Sequence, residues 1–128
     1  MKYLLDTRTF LWWIQDDARL SGRCRQVLRD GGNTLLFSAA SSWEIAVKWR
    51  LGRIRFPGPP GEFLAEQLQK QRIESLPITP AHASKFAELP QHDRDPFRRM
   101  LVAQASVEEV PIVSPAPELR RYSAKLVW

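Results

Sequence analysis

The chain opens on a short unbroken apolar run, Tyr3-Leu4-Leu5, that ends in Asp6. A continuous apolar run of this length reads as a strand buried on both faces, the kind found in parallel sheets. Thr34-Leu35-Leu36-Phe37 repeats the pattern after the turn signal Gly31-Gly32-Asn33. Ile73–Ile78 predicts a third strand, at a sheet edge because Pro77 interrupts it. Val110–Val113 and Lys125–Trp128 predict a fourth and a fifth.

Helical patterns fill the intervals. Thr7–Gln15 carries Phe10, Leu11, Trp12, Trp13 and Ile14, too apolar for a solvated helix, and Ser21–Arg29 turns Val27 and Leu28 inward. The stretch from Ser38 predicts a helix running to about Leu51, with Gly52 as its stop. Phe56–Gly61, rich in Pro and Gly, reads as a loop before a helix over Glu62–Gln71. Thr79-Pro80 and Asp95-Pro96 are N-cap and Pro start signals for helices ending near Leu89 and Glu108. Pro117–Arg121 predicts a short helical turn. Strands alternating with helices imply an α/β protein with a parallel sheet covered on both faces.

The length of 128 residues fits a single domain, 1–128, that buries a core without staples. One cysteine, Cys24, excludes an intramolecular disulfide and fits a reducing compartment. Asp6 and Arg8 interrupt any signal-peptide core, and no apolar run approaches a membrane span, so the chain reads as soluble and cytoplasmic. The formal charge of +5 suits a polyanion such as nucleic acid, although the basic residues are scattered rather than gathered in a tail.

Three acids are predicted to share one edge of the sheet. Asp6 ends the first strand, Glu44 opens the helix after the second, and Asp95 opens the helix before the fourth. Each also has a purely local explanation. Asp6 and Asp95 read as N-caps, and Ser41-x-x-Glu44 reads as a capping box. Their convergence points to chemistry, because crowded like charges are relieved by protonation or by a bound cation. Carboxylates with open coordination positions suit Mg²⁺, which activates water against a phosphodiester and stabilises the leaving oxygen.

Leu5-Asp6-Thr7, Phe37-Ser38-Ala39-Ala40-Ser41-Ser42-Trp43-Glu44-Ile45-Ala46, His92-Asp93-Arg94-Asp95-Pro96-Phe97 and Met100-Leu101-Val102-Ala103-Gln104-Ala105 together resemble the PIN-domain proteins of the VapC toxin type. The resemblance implies a three-layer α/β/α sandwich with a five-stranded parallel sheet in order 3-2-1-4-5. It also implies an endoribonuclease dependent on Mg²⁺ or Mn²⁺, acting on single-stranded RNA of the tRNA or mRNA kind. A homodimer and a VapB-like antitoxin that blocks the acidic groove complete the implied partners, with no membrane association. Asp6 and Glu44 match the family's first and second acids and would hold the metal, and Asp95 matches the acid of an Asp-Pro-Phe motif.

The chain departs from the pattern at three places. Arg98 and Ala116 stand where the family usually has acids, and Arg8 stands where it often has His or Asn. Two fates are open to Arg98: it takes the cation's place against Asp6 and Glu44, or it swings to solvent and leaves one metal bound. Two functions follow, a ribonuclease toxin with a reduced acidic site and a non-catalytic module that binds RNA or an antitoxin. A phospho-receiver domain shares the α/β pattern, but Leu76-Pro77-Ile78-Thr79 offers no acceptor Asp after the third strand. His92 reads as a loop residue, His82 lacks a metal partner, and Trp12, Trp13 and Trp128 are expected to supply apolar surface for a partner.

Overall fold

The computed structural model describes residues 1–128. Five strands form one parallel sheet in the order β3-β2-β1-β4-β5. They are β1 (Lys2–Leu5), β2 (Thr34–Ser38), β3 (Ile73–Leu76), β4 (Ile112–Val113) and β5 (Leu126–Val127). Six helices, α1 (Thr7–Ile14), α2 (Gly22–Arg29), α3 (Ala39–Arg50), α4 (Pro60–Lys70), α5 (Pro80–Glu88) and α6 (Pro96–Glu108), connect them, with a 3₁₀ turn over Pro117–Arg121.

Strand alternation divides the core in two. Leu5, Leu35, Phe37, Val113 and Val127 join Phe10 of α1, Cys24 and Leu28 of α2, Ile45 of α3 and Leu64 of α4. Leu4, Leu36 and Ile112 enter the other cluster, against Leu101, Val102 and Ala105 of α6 and Leu119 and Tyr122. The sheet therefore lies between two helical layers, the α/β/α sandwich and strand order that the family resemblance implies. Both faces must be apolar in such a sheet, which is why β1 and β2 read as continuous runs rather than alternating ones.

The boundaries differ from expectation where Pro intervenes. β4 begins at Ile112 rather than Val110, because Pro111 has no N–H and the Val110 N–H is already bonded to Ala105 O at 3.1 Å, closing α6. Pro60 and Gly61, read as loop, form the first turn of α4, where a missing Pro N–H costs nothing. Gly52 follows the C-cap of α3 at φ 74°, the left-handed conformation that favours glycine.

Trp12, Trp13 and Trp128 are half-buried against the α1–α4 side of the core. Trp12 packs on Trp128 at 5.9 Å, and the Trp13 Nε1–H donates to Gln71. The exposed large apolar side chains include Trp43 and Leu51, each 61% exposed. No helix is long and apolar enough to cross a membrane.

Candidate active site

The sheet order reverses at the boundary of β1 and β4, the place where open α/β sheets bind ligands beyond their carboxyl ends. Asp6 follows the last residue of β1, Ser114 follows the last residue of β4, and the Asp6 N–H donates to Val113 O. Asp6 is 3% exposed, and each of its carboxylate oxygens accepts one hydrogen bond. Its Oδ1 accepts from Thr9 N at 2.7 Å, capping α1, and its Oδ2 accepts from the Ser114 hydroxyl. The Thr9 hydroxyl in turn donates to Val113 O at 2.9 Å, tying α1 to β4. Burial pushes the Asp6 carboxyl pKa up, against the hydrogen bonds of Ser114 and Thr9 and the positive charge of Arg8. Capping and chemistry are thus not alternatives here, since each oxygen keeps a lone pair beyond its one partner.

Glu44 reaches the same edge by a different route. The cap of α3 is Ser38, which accepts from Ala40 N at 2.9 Å, so the expected Ser41-x-x-Glu44 box does not form. Ser41 lies inside the helix, its hydroxyl buried without a partner. Relieved of capping, Glu44 accepts from the Thr7 hydroxyl at Oε1 and from the Lys48 ammonium at Oε2, each at 2.6 Å. Asp95 does cap its helix, accepting from Phe97 N at 2.9 Å and from Arg98 N at 3.4 Å.

These acids line one cavity of about 130 Å³, together with Thr7, Arg8, Leu11, Lys48, Arg98 and Leu101. Asp6, Glu44 and Asp95 are balanced there by Arg8, Lys48 and Arg98. Arg98 adopts neither expected fate. It grips Asp93 through Nε at 2.6 Å and through a second nitrogen at 3.0 Å, and meets Asp95 Oδ2 at 3.2 Å. Those hydrogen bonds hold the Asp93 carboxyl below its usual range and raise the guanidinium. They also offset the macrodipole penalty of a cation in the first turn of α6. The cation that meets Glu44 is Lys48, one helical turn on. Ala116 is buried beside Leu119 and Tyr122 and lines a neighbouring cavity instead of this one. Arg8 is exposed, 5.8 Å from the ring of Trp12.

The carboxylates are hard oxygen donors, the type that Mg²⁺ and Mn²⁺ take. No three His, Cys, Asp or Glu side chains converge into a metal-holding cluster. The donor set fits a hydrated divalent ion on one or two carboxylates rather than a protein cage.

Sequence reasoning did not assign Thr7, Lys48, Asp93 or Ser114 to the site. Only Lys48 carried a local signal, its i,i+4 spacing from Glu44. Of the remaining candidates, His92 stacks edge-on against Tyr122, and His82 is enclosed by Thr79, Gln104 and Glu108. The Cys24 thiol is pushed up to about 12 by burial and by the Asp6 charge, which excludes it as a nucleophile.

The PIN domain family model matches residues 3–125 of the chain. Over 60 residues the chain is 33% identical to the ribonuclease VapC16 of Mycobacterium tuberculosis, a stretch covering 47% of this chain and 43% of that protein. The chain thus matches less than half the length of that curated relative. The fold recurs in solved complexes. VapBC2 from Rickettsia felis superposes with a TM-score of 0.73 at 14% identity, covering 99% of this chain and 98% of that one. VapBC-1 from nontypeable Haemophilus influenzae gives 0.68 at 13%, covering 99% and 97%, and FitAcB from Neisseria gonorrhoeae 0.64 at 16%, covering 98% and 96%. At these identities the likeness is one of fold.

Proposed function

Because the chain belongs to the PIN-domain family, we propose that it is a VapC-type endoribonuclease, a single PIN domain over 1–128 that cleaves single-stranded RNA with Mg²⁺ or Mn²⁺. The observation carrying this reading is that Asp6, Glu44 and Asp95, from three distant stretches of sequence, line one cavity at the carboxyl edge of the sheet. Asp6 and Glu44 would hold the metal, which when bound polarises a phosphodiester and supplies an activated water.

The chain's own residues prepare the ground. Ser114 and Thr9 fix both oxygens of Asp6, and Thr7 orients Glu44. Lys48 and Arg8 present cations to a substrate phosphate, and Arg98 does so from a guanidinium anchored on Asp93. The +5 charge favours a polyanionic substrate. Homodimerisation and inhibition by a VapB-like antitoxin belong to the same proposal, as does a cytoplasmic location.

A second reading, a non-catalytic module for RNA or an antitoxin, is favoured by one observation: the acids already have cations, Lys48 on Glu44 and Arg98 on Asp93 and Asp95. Cleavage of a labelled single-stranded RNA by purified protein, with Mn²⁺ or with chelator, separates the two. Asp6→Asn is expected to lower metal-dependent cleavage by about 100-fold or more, since even indirect supports of a metal are worth 10–100-fold. Cleavage unaffected by chelator and by Asp6→Asn would overturn the metal-dependent reading. RNA binding without any cleavage would select the second reading.

A further inference from the structure

Beside the acid pocket lies a second cavity, of about 230 Å³, lined by Arg23, Ser114, Pro115, Ala116, Arg120, Leu126 and Trp128. Its position follows from the topology. Ser114 and Trp128 directly follow the carboxyl ends of β4 and β5, while Arg23 lies in the first turn of α2. The two cavities adjoin through one hydrogen bond, since the Ser114 hydroxyl that lines the second donates to Asp6 of the first.

The charge arrangement differs sharply between them. The second cavity has two guanidiniums and no acidic side chain in its lining. Arg23 and Arg120 form no ion pair and no side-chain hydrogen bond, whereas Lys48, Arg98, Arg19 and Arg25 are all paired. Arg23 also stands at a helix start that has no acid in its first turn, where the macrodipole adds positive potential. Two unpaired guanidiniums in one concavity repel each other until an anion joins them, and their planar forks match a phosphate. Trp128, partly exposed and backed by Trp12 at 5.9 Å, adds an aromatic face. Cationic groups beside an aromatic platform are how single-stranded nucleic acid is held without base-specific contacts.

We infer that this cavity is a second subsite for the same single-stranded RNA, in which Arg23 and Arg120 hold a phosphodiester next to the one in the acid pocket and Trp128 stacks on its base. The inference rests on the ribonuclease reading for the identity of the ligand. Its test is independent of cleavage, because binding is measured in chelator.

The probe is fluorescein-labelled hexauridylate, titrated with the full chain over a series of NaCl concentrations and followed by anisotropy. Arg23→Gln with Arg120→Gln is expected to weaken binding about ten-fold. It should also reduce the slope of log K against log salt by about 0.7, the value for one single-strand phosphate contact. Trp128→Ala is expected to weaken binding with the slope unchanged. Arg53→Gln with Arg55→Gln removes the same charge from exposed positions elsewhere and should leave affinity nearly intact. Unchanged affinity in the Arg23/Arg120 variant, equal loss in the Arg53/Arg55 control, or no binding by the wild type would each overturn the subsite. So would loss of self-association in place of RNA affinity, read by size exclusion. Cleavage with an ineffective Arg23/Arg120 change sinks the subsite alone. RNA held through Arg23 and Arg120 but never cut sinks the ribonuclease alone.

Discussion

The knot around His82 and the pocket around Asp6 both gather buried polar side chains at helix starts, yet only the second opens onto a cavity. In the knot, Thr79 N donates to His82 Nδ1 at 3.0 Å, which leaves the proton on Nε2 to donate to Glu108 at 2.9 Å. Gln104 bridges onward, its amide donating to Pro77 O at 3.3 Å and its carbonyl accepting from the Ser38 hydroxyl. His82, Gln104 and Ser38 are wholly buried, and only Glu108, at the rim, carries a fixed charge. In the other pocket Asp6 is held by the neutral Thr9 and Ser114, but its neighbours are charged: Glu44 pairs with Lys48 and Asp95 with Arg98 around the open cavity. A sealed network of neutral donors and acceptors specifies packing. A charge-balanced one with a mouth keeps ionised groups where a ligand displaces their partners.

The sharpest way to break this distinction is His82→Ala. It empties a fully buried site and strands the Thr79 N–H, so a loss of about 3 kcal/mol in urea unfolding is expected. RNA cleavage per folded molecule should hardly change. A variant of near wild-type stability but poor cleavage would move the knot into the active site.

Asp6→Asn should do the reverse, with a smaller effect of opposite sign on stability. In metal-free protein the folded Asp6 carboxyl titrates above its ordinary 3.8. The folded state therefore binds the extra proton between 3.8 and that raised value, and stability falls as pH rises through this window. Asp93, depressed by Arg98, acts on the other side: its stabilisation is present above 3.8 and is lost as pH falls toward its folded value. The amide keeps an acceptor for Thr9 N and offers its NH₂ to Ser114, so the variant should be more stable than wild type at neutral pH. Urea midpoints from pH 4 to 7, in chelator, check this. A descending limb that survives in Asp6→Asn would mean that another group causes it.

Legibility in the sequence follows the range of each interaction. Asp6, Asp95 and Thr79-Pro80 were readable because a cap is a matter of three or four residues. The Ser41-Glu44 box failed because Ser38 offered an equally good cap, and the choice was made by β2, which pairs through Ser38 with Leu76 of β3. Asp93 sits ahead of the helix that carries Arg98, so no helical spacing announced their pairing. The Thr79-x-x-His82 spacing was visible, but Gln104 and Glu108 come from α6 and only the packing of α5 on α6 brings them there. The departures at Arg98 and Ala116 were evident as residues and opaque as geometry, since Arg98 turns back onto Asp93 and Asp95 while Ala116 packs beside Leu119 and Tyr122.

The smallest expected effect belongs to Lys48→Ala. Lys48 is 39% exposed and one helical turn beyond Glu44, so its ion pair should contribute no more than about 0.5 kcal/mol to stability. Its influence on the site is of a different kind. The ammonium occupies Glu44 Oε2, one of the oxygens that a metal would take, and removing it leaves Glu44 with the Thr7 hydroxyl alone. Mn²⁺ affinity, measured by calorimetry on catalytically idle protein without RNA, should rise several-fold while the urea midpoint stays put. If affinity falls instead, Lys48 holds Glu44 in place for the metal rather than standing in its way, and the balance of charges in the pocket is a support for the ion and not its rival.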